Sequence, residues 1–120
     1  MEKFTKLKVW QRSHTLVLAL YKDTREFPER ERFCLVPQIR RAAISIAANI
    51  AEGSKRRSDK EYVQFLYIAQ GSLEEVKYYL RLCNDLLYID NEGYEYLYTI
   101  AEEIGRLLHG FIKKLKECNP

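Results

Sequence analysis

Between Tyr62 and Leu87, apolar side chains recur at Tyr62, Leu66, Ala69, Leu73, Val76, Leu80, Cys83 and Leu87, in alternating steps of four and three. Two such steps make seven residues, close to two turns of an α-helix, so all of these side chains fall on one face. A strand alternates every second residue and cannot carry this pattern. A heptad sustained over this length calls for helices packed nearly in line with it, as in a bundle.

Three further runs supply those neighbours. Trp10, Ser13, Val17, Leu20, Thr24 and Phe27 share one helical face and predict a first helix over 8–27, closed by Pro28. Val36, Ile39, Ala43, Ile46 and Ile50 predict a second over 36–54, with Pro37 in its first turn and Gly53 as a left-handed cap. This second helix is rich in small residues, including Ala42, Ala43, Ser45, Ala47 and Ala48, which let another helix come close. The capping-box sequence Ser58-Asp59-Lys60-Glu61 opens the third helix, expected over 58–90. Gly71 inside it costs about 1 kcal/mol relative to alanine, and is expected to mark a close contact with helix two. Leu97, Ile100, Ile104, Leu107 and Phe111 predict the fourth over 92–117. With only 5 glycines and 3 prolines, long helices can run uninterrupted. Short connections favour antiparallel neighbours. The expected fold is all-α, a left-handed up-down-up-down four-helix bundle, with residues 1–120 forming one domain.

No apolar run is long enough for a membrane span or a signal core, so the expected location is cytoplasmic. Cys34, Cys83 and Cys118 are odd in number and widely spaced, which excludes a disulfide framework and a CxxC motif. His14 and His109 belong to no metal-binding or phosphate-binding motif, so neither a cofactor nor a metal is expected.

The net charge of +3 is modest, but it is unevenly distributed. Residues 1–57 hold thirteen Lys and Arg against six Asp and Glu, a surplus of +7; residues 58–120 carry −4. Alternating helix directions would gather the N-terminus, the loop between helices two and three, and the C-terminus at one end, with a net +6. Lys55, Arg56, Arg57, Lys113, Lys114 and Lys116 are the candidate phosphate contacts there. The plainer alternative is a solvated loop and lysines that complement a helix dipole. The opposite end is acidic, with a net −4.

Gln38, Arg41, Ser45, Asn49 and Glu52 form a polar row along helix two, and Glu74 or Glu75 of helix three could answer Arg41. Such a row can be a cleft with Arg41, Asn49 and Glu52 as its reactive groups, a subunit interface, or a hydrogen-bond network that sets helix register. No nucleophile–base pair accompanies it, which favours the structural and interface readings. Eight of the nine tyrosines fall in the last two helices, too many for one heptad face, which points to self-association. Base stacking on these tyrosines is the weaker alternative.

Several segments together resemble a known family. They are Val9-Trp10-Gln11; Phe27-Pro28 with Glu31; the stretch from Leu35 through Gln38, Arg40-Arg41-Ala42-Ala43 and Ser45-Ile46 to Asn49-Ile50-Ala51-Glu52-Gly53; and Phe65-Leu66, Ala69, Gly71-Ser72-Leu73 and Glu75. The chain resembles the 23S rRNA intervening-sequence proteins, also labelled S23 ribosomal proteins, and through them is similar to the accessory variability protein of diversity-generating retroelements. The resemblance implies a compact left-handed bundle assembled as a homopentamer. It also implies RNA, DNA or a protein as possible partners, while the family's general biochemical role is uncharacterised. Ser72 and Glu75, inside the matching pieces, join the helix-two row as polar core or interface residues. Pro37 departs from the small polar helix-start residue common in the family, harmlessly for a first-turn position. The resulting expectation is a non-enzymatic oligomer that binds RNA or structured nucleic acid through its basic end. The alternative is a protein-binding adaptor without a nucleic-acid ligand.

Overall fold

The computed structural model describes residues 3–118. Four α-helices carry the fold: α1 (Lys8–Thr24), α2 (Leu35–Gly53), α3 (Asp59–Asp85) and α4 (Asn91–Cys118), with short 3-10 turns at Lys3–Lys6 and Glu29–Glu31. Each helix packs on its neighbour in sequence, and α4 packs on α1 to close the ring. Side-chain pairs fix the directions. Tyr62 meets Phe111 while Arg81 lies over Tyr94, so α3 and α4 run antiparallel. The result is an up-down-up-down bundle with extents of 47 × 23 × 22 Å.

The core is one continuous cluster drawn from all four helices. Leu16, Ile46, Leu66, Leu97, Ile104 and Leu108 are completely buried. Each such side chain contributes roughly 1.5–3 kcal/mol of burial free energy before conformational entropy is counted.

The heptad of α3 is buried from Leu66 to Cys83, but its two ends behave differently. Tyr62 is half-buried against Phe111. Leu87 is 87% exposed, because α3 stops at Asp85, short of the expected position 90. The cause is a Schellman closure. The Tyr88 amide donates to the Cys83 carbonyl at 2.9 Å, and the Leu87 amide to the Asn84 carbonyl at 3.0 Å. Leu87 takes the left-handed position with φ 66°, where glycine is usual. Asp90 then opens α4 by accepting from the Gly93 amide at 2.7 Å.

On α1 the buried stripe is Val9, Ser13, Leu16, Leu20 and Thr24, rotated from the expected one, with Trp10 and Val17 at its margin. The Trp10 ring packs edge-on against Phe4 at 5.2 Å. On α4, Leu108 and Ile112 point inward, while Leu107 and Phe111 flank the core.

Gly53 is not a left-handed cap: it is the last helical residue of α2, and no described glycine has positive φ. Its role is a close approach, since a Cβ there would stand 2.5 Å from Tyr62 Cδ1. Gly71 is the reverse. A Cβ there would meet nothing within 4 Å, so the expected contact with α2 is absent.

Candidate functional site

Tight local geometry presents the basic loop between α2 and α3. After Gly53 the chain turns at once, with the Ser54 amide donating to the Ile50 carbonyl and the Arg56 amide to the Gly53 carbonyl at 3.0 Å. Ser58 then caps α3 by accepting from the Glu61 amide at 3.2 Å. Lys55, Arg56 and Arg57 thus project from a connection of only a few residues. The last turns of α4 reach the same end, where Lys116 Nζ donates to the Tyr67 hydroxyl of α3 at 3.3 Å.

The six nominated cations are held differently. Arg56 donates to Glu52 at 2.7 Å, and its guanidinium lies 4.7 Å from the Phe65 ring centroid. Lys116 is engaged with Tyr67. Arg57, Lys113 and Lys114 are exposed and have no hydrogen-bond or ion-pair partner among the described residues. Further along, Arg12 donates to Glu103 at 2.7 Å, with Lys8 at 3.8 Å from the same carboxylate. Those two cations are therefore partly compensated by an acid that the N-terminal sequence does not reveal. Glu2, an acid of this end by sequence, lies outside the described residues.

The polar row on α2 does not converge on one point. The Ser72 hydroxyl donates to Ser45 Oγ at 2.8 Å, and Asn49 Nδ2 donates to the Ser45 carbonyl at 2.8 Å and to its Oγ at 3.0 Å. These three half-buried or buried groups satisfy one another across the α2–α3 contact. Glu52 turns away to Arg56, and Gln38 and Arg41 are exposed. Neither Glu74 nor Glu75 answers Arg41: Glu74 sits 3.6 Å from Lys77, and Glu75 is exposed. The row divides into a small register-setting network and a solvated edge.

Sequence reasoning passed over Arg40. It crosses to α1, donating to Thr24 Oγ1 at 3.0 Å and to the Tyr21 carbonyl at 3.3 Å, with its guanidinium 4.3 Å from the Tyr21 centroid. At the acidic end the Tyr88 hydroxyl donates to Glu31 at 2.7 Å, and this bond to the carboxylate raises the tyrosine's pKa. Asp23 also titrates above its usual range, chiefly because it is partly buried, with Lys22 opposing and Glu26 and Asp90 adding to the shift. His14 stacks on Trp10 at 4.9 Å. Cys83 is buried, which pushes its thiol up to about 12, while Cys34 and Cys118 are exposed. Among the described residues no three His, Cys, Asp or Glu side chains gather as a metal site. None of their helices is long and apolar enough to cross a membrane.

A feature with no single-residue signature is the seam between α3 and α4. Clefts open along it, and the two at the basic end share Tyr67 and Lys116 as lining. Tyr67 is 41% exposed there.

A family model described as 23S rRNA-intervening sequence protein matches residues 5–110. Among solved structures, the chain is similar to a protein of unknown function from the S23 ribosomal protein family of Bacteroides thetaiotaomicron VPI-5482, determined at 1.70 Å. The two are 31% identical with a TM-score of 0.79, over 88% of this chain and 98% of that one. Comparison with curated proteins finds no match.

Proposed function

Given that the chain belongs to the 23S rRNA-intervening sequence protein family, we propose that it is a non-enzymatic, self-associating helical bundle that holds RNA or structured nucleic acid by phosphate contacts at its basic end. The observation that carries this reading is the trio Arg57, Lys113 and Lys114, three exposed cations without protein partners at one end of an elongated molecule. Unpaired cations keep their whole field for an incoming polyanion, whereas Arg56 and Arg12 already spend theirs on Glu52 and Glu103. Phosphate contact of this kind is insensitive to sequence and strongly dependent on salt.

A non-enzymatic role is supported by the polar row, whose buried members satisfy one another and whose charged members do not converge. Self-association is read from the family resemblance; Leu18 on α1, Ile44 on α2 and Ile68 on α3 are exposed apolar side chains that a subunit contact would cover. The homopentamer implied by family resemblance would set five basic ends on one assembly and multiply their local field.

The test is an electrophoretic shift assay with a structured rRNA fragment, read beside light scattering of the free protein. Reversing Arg57, Lys113 and Lys114 to glutamate should abolish the shift while leaving the bundle's mass and helicity unchanged. An unchanged shift would remove the basic end from the reading, and a monomer by light scattering would remove self-association.

A protein-binding adaptor has its own supporting observation at the other end. Phe33 is 82% exposed, with the Arg32 guanidinium 5.3 Å from its ring centroid, and Leu87 is 87% exposed. A partner captured equally before and after nuclease treatment, and lost on Phe33→Ser with Leu87→Ser, would favour this second reading.

A further inference from the structure

The α3–α4 seam carries a row of adjoining clefts that together outline a groove. Four clefts follow one another along it, each sharing lining with the next: first Tyr67 and Lys116, then Gln70, then Glu74 and Lys77. From Lys60 to Arg81 the groove follows α3 for about 30 Å, at 1.5 Å per residue. The two clefts at the basic end have volumes of ≈ 640 and ≈ 620 Å³.

Tyrosines and cations are paired along this groove. Lys116 donates to the Tyr67 hydroxyl at 3.3 Å, Lys77 lies 5.7 Å from the Tyr98 centroid, and Arg81 lies 5.3 Å from the Tyr94 centroid. Acids are interleaved with these cations: Glu74 lies 3.6 Å from Lys77, and Asp59, Glu102 and Glu117 also line the clefts, four acids against the six cations Lys60, Lys77, Arg81, Arg106, Lys113 and Lys116. Two rings remain open to a ligand: Tyr67, 41% exposed, and Tyr78, 62% exposed. Cations that follow a backbone beside open aromatic rings are the two components that single-stranded nucleic acid requires, phosphate neutralisation and a stacking surface. A duplex cannot use the second, because its bases are already stacked on one another.

We infer that the α3–α4 groove is a track for single-stranded RNA, with unpaired bases stacking on Tyr67 and Tyr78 and phosphates following the seam cations. This rests on the nucleic-acid reading above and deepens it, since contacts at the basic end alone would not distinguish a single strand from a duplex. The groove is continuous with that end through Lys113 and Lys116. A strand held at the end therefore has a path down the side of the bundle.

Fluorescence anisotropy with a labelled twelve-nucleotide oligouridylate and with a blunt RNA duplex tests the inference on the full chain. The wild-type protein should bind the single strand more tightly than the duplex. Tyr67→Ala and Tyr78→Ala should each weaken single-strand binding by about tenfold, the loss of one stacked base. Duplex binding should not move, and Tyr67→Phe should bind as wild type because the ring is kept. Both rings are exposed, so the alanine variants should melt at the wild-type temperature. Equal binding of the two RNA forms, or alanine variants that bind the single strand as wild type does, would overturn the track. In that case, loss of binding on reversing Arg57, Lys113 and Lys114 would still uphold the basic-end reading. Binding of neither RNA form would overturn both.

Discussion

Gly53 of α2 lies directly against the ring of Tyr62 on α3: a Cβ added at Gly53 would fall 2.5 Å from Cδ1 and 2.9 Å from Cε1. The ring is also held edge-on against Phe111 at 5.3 Å, and the added Cβ would meet the Phe65 Cβ at 3.0 Å. Gly53→Ala should therefore destabilise the bundle by about 1–3 kcal/mol, the usual cost of overpacking. Gly71→Ala is the internal control. Its Cβ meets nothing within 4 Å in the middle of a helix, so it should stabilise by up to about 1 kcal/mol. Urea denaturation of the two variants checks both signs.

The Tyr62 hydroxyl is buried and has no hydrogen-bond partner. Burial pushes its pKa from 10.0 up to about 12. A phenol whose pKa is raised by folding favours the protonated folded state. Its contribution to stability is present below pH 10 and is lost as pH rises through 12. Tyr62→Phe removes both the unsatisfied group and the titration. It should be neutral or stabilising by up to about 1 kcal/mol at pH 7. Between pH 10 and 12 it should lose less stability than the wild type, as thermal melts over that interval would reveal.

Leu87 occupies the left-handed position of the Schellman closure, with φ 66° and its side chain 87% exposed. It carries the backbone cost of an L-residue there, roughly 1–2 kcal/mol, with almost no burial in return. Leu87→Gly should raise stability by about 1 kcal/mol, read as a higher denaturation midpoint at unchanged slope. A lower midpoint would mean that the side chain makes contacts at that end beyond those of the single chain.

Neutralising Arg57, Lys113 and Lys114 to glutamine removes three exposed charges that have no partner in the described structure. If each meets a phosphate, the slope of log affinity against log salt for a single-stranded RNA should fall by about 2. The melting temperature should hold, since surface changes of this kind usually stay within about ±0.5 kcal/mol. A slope that does not change would show that these residues release no counterions.

Much of the fold was legible because helical periodicity is local. Leu66 through Cys83 lie on one face whatever the rest of the chain does, and that face is buried. The failures came where a second element intervened. Leu87 fits the heptad by spacing, yet two backbone hydrogen bonds end the helix before the spacing can apply. Gly53 resembles a cap by position, but its reason is Tyr62, nine residues later on another helix.

The candidate site divides in the same way. That Lys55, Arg56 and Arg57 meet Lys113, Lys114 and Lys116 at one end follows from alternating helix direction, which sequence can state. Which of them stay unpaired does not follow, because Glu52 and Tyr67 select Arg56 and Lys116 by distance. The α2 row was visible by spacing, but only packing joined Ser45 to Ser72 and left Arg41 in solvent. The tyrosines of α3 and α4 could be counted in the chain, whereas the groove that aligns them needs two antiparallel helices in register.

Sequence alone thus determined the helices, their order and the buried faces of α2 and α3, because each is encoded in spacings of a few residues along one backbone. Tertiary structure decided where those helices end, which charges remain open and which rings share a groove. Those depend on distances of 3–5 Å between side chains far apart in the chain, and such distances exist only once the bundle has closed.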